Sequence, residues 1–149
     1  MRSNVKFEGG RELLAALNEL KSSLAKPVMR RAAKLALQPV LTEVRRLAPV
    51  AEHEGGALRD SYVIGTQLTP RERRGVRIER ETEVEVYMGT SNPAGLLQEF
   101  GTRHHPPQPH VRPAWAAKKD EVLNATATEL RNEIDKAAAR AAKRGRPKP

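Results

Sequence analysis

Three hydrophobic rhythms follow one another along the chain. From Arg11 to Leu24, Leu13, Leu17, Leu20 and Leu24 recur at intervals of three or four residues, and Leu14 widens the stripe. That spacing predicts an amphipathic helix. Gly9 and Gly10 separate it from a short N-terminal arm in which Val5 and Phe7 face one way. The helical period continues from Pro27 to Leu47 through Val28, Ala32, Leu35, Ala36, Val40, Val44 and Leu47. Arg30, Arg31, Lys34, Arg45 and Arg46 fall largely off that face. Lys26-Pro27 is where the first helix should end or the second begin. Pro39 has no amide proton and clashes with the carbonyl four residues back, so the second helix should kink or break there. Ala48-Pro49 closes it. The two helices are expected to pair as a hairpin, each hiding the other's stripe.

The period then falls to two. Leu58 to Leu68 reads as extended, with Tyr62 and Ile64 on one side and Val63 near the other. Val76 and Ile78, then Val84, Val86 and Met88, alternate with Arg77, Glu79, Glu83 and Glu85. This predicts strands over 76–80 and 83–88 and a small antiparallel sheet with one covered face. Thr69 to Gly75 and Gly89 to Pro93 read as turns.

The stretch from Ala94 to Trp115, AGLLQEFGTRHHPPQPHVRPAW, organises the rest. Leu96, Leu97 and Phe100 have the spacing of one buried patch. Gly101 follows as a residue that ends a turn. Pro106, Pro107, Pro109 and Pro113 fix φ at four nearby positions, so this loop loses little entropy on ordering. Pro113 suits a first helical residue. A last helix is predicted from Pro113 to about Lys143, with Trp115, Val122, Leu123, Leu130, Ile134, Ala138 and Ala141 as its apolar face. Asp120 and Glu121 near its start, and Arg140, Lys143 and Arg144 near its end, suit the helix dipole. The order implies an α+β fold: an N-terminal helical hairpin, a small antiparallel sheet, and a long C-terminal helix packed on the sheet. Residues 1–144 are expected to form one domain and 145–149 a disordered basic tail.

Composition sharpens this picture. The 149 residues suit a single domain, but only 3% are aromatic, which leaves a thin core. Subunit contacts are therefore expected to supply part of the stability. The net charge of +9 permits contact with nucleic acid without proving it. With no cysteine, disulfides and thiolate chemistry are excluded. No apolar run approaches the ~20 residues that span a bilayer. The N-terminus carries no apolar signal segment, so the chain is expected to act where it is made, or in an assembly built there.

Candidate chemistry is sparse. His104, His105 and His110 form the one histidine cluster, and His104 and His110 could approach a metal with Glu99. Their spacing matches none of the strong zinc patterns, and a polar loop surface or an interface contact explains them better. Ser61 and Ser91 lack a local base, and no phosphate-binding glycine motif follows a strand. Glu99 has no partner carboxylate, so its expected role is to accept hydrogen bonds from loop amides or to pair with Arg103 or Arg112. Neither a catalytic constellation nor a cofactor is expected. From Lys136 onward, Lys136, Arg140, Lys143 and Arg144 are joined by Arg146 and Lys148 with no acidic residue between. They are candidate contacts to DNA phosphate, or a solvated helix end.

Four segments together resemble the tail-component family of long-tailed bacteriophages, the small neck proteins called tail-completion or head–tail joining proteins. They are Ala48-Pro49, Gly56-Ala57-Leu58-Arg59-Asp60-Ser61, Glu99-Phe100-Gly101-Thr102 and Pro109-His110-Val111-Arg112-Pro113-Ala114. The likeness runs from about Val5 to the last helix. Gly55 stands where the family pattern has a threonine, and His110-Val111 replaces phenylalanine followed by leucine or methionine. The second change puts a polar ring where an apolar anchor is expected, so the loop should pack differently here. The resemblance implies a non-enzymatic virion protein at the head–tail junction, assembled in the host cytoplasm. Relatives are commonly treated as self-associating hexameric rings between a head connector or head-completion protein and a tail-tube or tail-terminator protein. It implies no cofactor and no membrane, and passive contact with genomic DNA at most. The interface or structural residues it points to are Leu58, Arg59, Glu99, Phe100, Gly101, Thr102, Pro109, Arg112, Pro113 and Trp115. A second reading is a non-specific DNA-binding protein acting through its basic C-terminal helix.

Overall fold

The computed structural model describes residues 10–19, 22–50, 55–68 and 84–144. Six helices and two short strands are placed there: α1 (Gly10–Glu19), α2 (Ser22–Ala36), α3 (Gln38–Leu47), α4 (Ala57–Ser61), β1 (Val63–Gly65), β2 (Tyr87–Gly89), α5 (Pro93–Phe100) and α6 (Val111–Arg144). The expected α+β architecture holds. A helical hairpin of α1 and α2 leads into α3, a two-stranded antiparallel sheet follows, and a long helix packs across them.

The long helix is the spine. At 34 residues α6 runs about 50 Å, and it lies along both α2 and α3. Near its start, Ala114 and Val122 join Val40, Leu41 and Val44 of α3 with Leu58 and Tyr62 in one apolar cluster. Near its end, Ile134 and Ala137 meet Val28 of α2 and Leu13 of α1 in a second. The early part of α6 thus faces the later helix and the late part faces the earlier ones, so α6 runs antiparallel to α2 and α3. A buried cross-link reinforces the far end: Glu133 accepts a hydrogen bond from Arg31 Nε at 2.7 Å and one from Lys136 Nζ at 3.0 Å.

Several boundaries differ from expectation. Leu24 and Lys26-Pro27, expected at the end of the first helix or the start of the second, lie inside α2, and α1 is described over Gly10–Glu19. Pro27 is close to the start of that helix and its ring is exposed, while Val28, Ala32 and Ala36 are fully buried. Burial of that stripe outweighs the single missing backbone bond. Pro39 acts as expected. The helix breaks at Leu37, and Pro39 occupies the first turn of α3, where its missing proton costs little. Ala48 turns to φ −60°, ψ 130° ahead of Pro49, the extended shape that a following proline imposes.

The segment from Leu58 to Leu68 is not one extended run. Its first residues close a helical turn, in which Asp60 N–H donates to the Gly56 carbonyl at 3.0 Å and Ser61 Oγ to the Leu58 carbonyl at 2.6 Å. That turn tucks Leu58 into the core. Only Val63–Gly65 is strand, paired with Tyr87–Gly89 in the register Val63↔Gly89, Ile64↔Met88, Gly65↔Tyr87. The predicted sides hold: Tyr62 is buried, Ile64 and Met88 pack against the first cluster, and Val63 faces out. The predicted strand over 83–88 shortens to Tyr87–Gly89, and Val84 to Val86 are described without strand pairing. The expected strand over 76–80, the turn at 69–75, the N-terminal arm and the tail at 145–149 lie outside the described residues.

α6 begins at Val111, two residues before Pro113. Its buried positions include Ala114, Ile134 and Ala137, whereas Trp115 and Ala138, expected on the apolar face, are exposed. Ala114, one residue and about 100° round the helix from Trp115, takes the slot facing α3, so the indole turns outward.

Candidate functional site

α5 is built to present one carboxylate inward. Asn92 caps it, its Oδ1 accepting from Ala94 N–H at 3.0 Å, and Pro93 occupies the first turn. Gly95 lets the helix close on its neighbours. A Cβ there would come within 2.5 Å of Thr90 Cγ2 and 3.1 Å of the Tyr62 hydroxyl. One turn later Glu99 lies on the same buried edge, at 5% exposure.

The Glu99 carboxylate meets the open end of α6. Its Oε2 accepts from the His110 and Val111 amides at 2.8 and 2.9 Å. Its Oε1 accepts from the Arg112 amide at 3.1 Å and from Arg112 Nε at 2.9 Å. Arg112 Nη2 donates to the Glu99 carbonyl at 3.0 Å. Three donors that a helix start leaves unpaired are thus satisfied by one side chain from another helix, where the dipole also favours negative charge. Burial pushes the Glu99 pKa up, but the hydrogen bonds from the His110 and Val111 amides, the Arg112 side chain and the Arg112 amide win, holding it down at about 2. The expectation that Glu99 binds loop amides or an arginine describes this geometry, with Arg112 and not Arg103 as the ion partner.

His110 is the anchor of the loop. Its side chain is wholly buried, its ring edge meets the Tyr62 ring at 5.5 Å and 82°, and its Nε2 lies 2.6 Å from the Tyr62 hydroxyl. Nδ1 faces two acceptors, the Gln108 carbonyl at 3.1 Å and Glu99 Oε2 at 3.4 Å. Nδ1, with acceptors on either side, is placed to donate, and the Tyr62 hydroxyl is the partner of Nε2. Burial, then the nearby Glu99 charge, pushes the Tyr62 hydroxyl up to about 12, which keeps it a donor. The polar ring at position 110 is as buried as an apolar anchor would be, because Tyr62 and Gln108 satisfy both nitrogens.

Between α5 and α6 the loop is tied at both ends. Gly101 sits at φ +77°, ψ 177°, a shape only glycine adopts freely. A Cβ there would lie 2.8 Å from Pro107 N and 2.9 Å from the His105 carbonyl. Thr102 and His105 pair across a tight turn, and Gln108 N–H donates to the Gln98 carbonyl at 2.7 Å.

The apolar trio of α5 overturns an expectation. Leu96, Leu97 and Phe100 are 66%, 51% and 62% exposed, and they form no buried patch within the chain. The inward edge of this short helix is taken by Gly95 and Glu99, so the trio turns outward. The Arg112 guanidinium stacks 4.9 Å over the Phe100 ring. Trp115, one turn further along α6, is 48% exposed.

The other predicted residues divide. Leu58 is in the core, and Arg59 pairs with its neighbour Asp60 at 3.2 Å. Thr102, Pro109 and Pro113 are exposed around the loop and the first turn of α6. Arg140 and Lys143 are exposed at the far end of α6, roughly 40–50 Å from Glu99. Lys136 is held by Glu133, and the Arg144 side chain lies outside the described residues. His104 is exposed and His105 half-buried. Among the described residues, no three histidine, cysteine or acidic side chains are grouped to hold a metal, and no helix is long and apolar enough to cross a membrane. Sequence reasoning missed Tyr62 and Gly95 as site residues. It noticed His110 in the histidine cluster and as a departure from pattern, but no local spacing ties that ring to Tyr62, 48 positions away.

Comparison with curated proteins finds no match, and neither does comparison with solved structures. A family model described as "Bacteriophage HK97-gp10, putative tail-component" matches residues 11–101. The match takes in α1 to α5 and both strands, reaches Glu99 and Phe100, and ends at Gly101, so the proline loop and α6 lie beyond it. The chain, matched over more than half its length, belongs to this family of bacteriophage tail components.

Proposed function

We propose that this chain is a structural subunit of the phage neck that forms a ring, completes the upper end of the tail and joins it to the head. The observation that carries this reading is the outward face of α5. Leu96, Leu97 and Phe100, with Trp115 on α6 nearby, leave large apolar side chains in water, on a junction that Glu99 and Arg112 hold rigid. An apolar surface on a rigid support marks a protein-binding face. Family membership supplies the setting, a tail component. Such a subunit works by packing and uses neither catalysis nor a cofactor.

Its neighbours in this reading are copies of itself, most simply six, with a head connector or head-completion protein above and a tail-tube or tail-terminator protein below. The DNA-binding alternative draws on Arg140 and Lys143, since Lys136 is engaged by Glu133. These exposed cations suit passive contact with DNA crossing the ring. Light scattering with mass measurement, on the chain alone and mixed with the tail-tube protein, tests the reading, together with imaging of intact necks. A closed ring is expected. A strict monomer in every mixture, with no copy in the imaged neck, overturns it.

A further inference from the structure

The outward face of α5 is bordered by charge of one sign. Between Glu85 and Asp120 the chain carries a single acid, Glu99, against four cations, Arg103, Arg112, Lys118 and Lys119. That acid is buried, and its carboxylate is spent on the start of α6 and on Arg112. Lys118 is paired with Glu121. Arg103 and Lys119 are exposed, and neither has an ion pair among the described residues. Arg103 lies on the tight turn that follows Phe100. Arg112, Trp115 and Lys119, spaced by three and four residues, line one stripe of α6. Leu96, Leu97 and Phe100 fall within about 100° of one another around the α5 axis. Arg112 stacks on Phe100 and so joins the two helices into one continuous surface. It also has donors to spare. Glu99 takes Nε and Nη2, Nη1 has no acceptor among the described residues, and the side chain is 61% exposed.

We propose that this face docks a segment of another protein in which apolar side chains are flanked by carboxylates. The centre sets the class of partner. Leu96 and Leu97 match apolar side chains, whereas a nucleic acid finds on them neither a charge for its phosphates nor a ring to stack on. The border sets the sign. Carboxylates meet Arg103, Lys119 and the spare donors of Arg112, while a cationic segment meets like charge. The same face of a second copy would bring the same cations, which disfavours two copies meeting here face to face. Arg112 is held in advance, stacked on one side and pinned by Glu99 on the other, so little side-chain freedom is lost when it receives a carboxylate. The proposal rests on the reading of this face as a protein-binding surface and names the chemistry it selects.

Trp115 is the only tryptophan in the chain and lies half-exposed within this face, so its emission reports on docking. The full chain is titrated with a short tryptophan-free peptide in which leucine and phenylalanine are bounded by glutamates, and with a counterpart in which every glutamate is lysine. The glutamate peptide is expected to shift Trp115 emission to the blue in a saturable way. It should bind at least about tenfold more tightly than the lysine peptide at low salt, and the ratio should shrink toward one at about 1 M salt. Arg103→Glu combined with Lys119→Glu, both at exposed positions, should level or reverse the preference without changing the melting temperature. Leu97→Ser should weaken both peptides; a shift that survives it unaltered places the peptide elsewhere and overturns the proposal. Equal binding of the two peptides sinks the charge selection and leaves the protein-binding reading standing. No shift with either peptide overturns both. A shift produced by a DNA oligonucleotide and not by the glutamate peptide makes the face a nucleic-acid platform. A shift that grows with the concentration of the chain alone makes a second copy the occupant. Either result overturns the proposal.

Discussion

Replacing Glu99 by glutamine tests the junction most directly. The substitution keeps shape and removes charge from the group that receives three amides and a guanidinium. The folded-state pKa of about 2, against an ordinary 4.5, corresponds to roughly 3 kcal/mol of stabilisation by the ionised form. Because the folded value is depressed, that contribution is complete above pH 4.5 and fades as pH falls from there through 2. Thermal melting at pH 7 should show Glu99→Gln lower by roughly 6–12 °C, taking 2–4 °C per kcal/mol for a domain of this size. At pH 3.5 the unfolded carboxyl is mostly protonated and the folded one is not, so the gap should narrow by about 1.4 kcal/mol. The comparison of two proteins at two pH values cancels the other carboxylates with depressed pKa, Glu43 and Glu133, which both proteins share. Equal melting at pH 7, or a gap that does not change with pH, would refute the claim that a buried charge fastens α5 to α6.

Three further outcomes follow from the same geometry. Gly101→Ala should destabilise by about 1–3 kcal/mol in urea unfolding, because its backbone shape is nearly closed to other residues and the new methyl meets Pro107 and His105. Tyr62→Phe should cost about 1–3 kcal/mol by the same assay, since it strips the donor from a buried imidazole nitrogen; in the parent, alkaline absorbance titration should find one of the two tyrosines ionising late, at about 12. Phe100→Ala should leave the monomer within about 0.5 kcal/mol of the parent, because its ring is largely in water; a larger loss on melting would place the ring in the fold after all.

The sequence spoke clearly where a pattern was long. The stripe from Val28 to Val44 needed many alanines and valines to bury, and tertiary packing realised it even across Pro27. Pro39 and Pro49 marked real interruptions because a missing proton and a blocked φ act locally. Short elements were less readable. Leu58 suits a single helical turn as well as a strand, and its burial against α3 and Ala114 of α6 is not written in its local spacing. At α5, hydrophobic spacing pointed to the wrong side, because eight residues cannot say which edge meets the core and the core-facing slot went to a charge. The partnership of Glu99 with the loop amides was readable, since a carboxylate lacking a catalytic partner beside a proline-rich loop has few other uses. Tyr62 with His110 was not, because the two lie 48 positions apart.

The arrangement of α5 separates adhesion from folding. Its anchoring edge is one glycine and one acid, while every large greasy side chain it owns points away from the interior. Positions 96, 97 and 100 can therefore drift or be redesigned without unfolding the protein that bears them. A lineage could retarget this subunit to a new neighbour by rewriting three letters on one turn of helix, provided the acid at 99 is left alone.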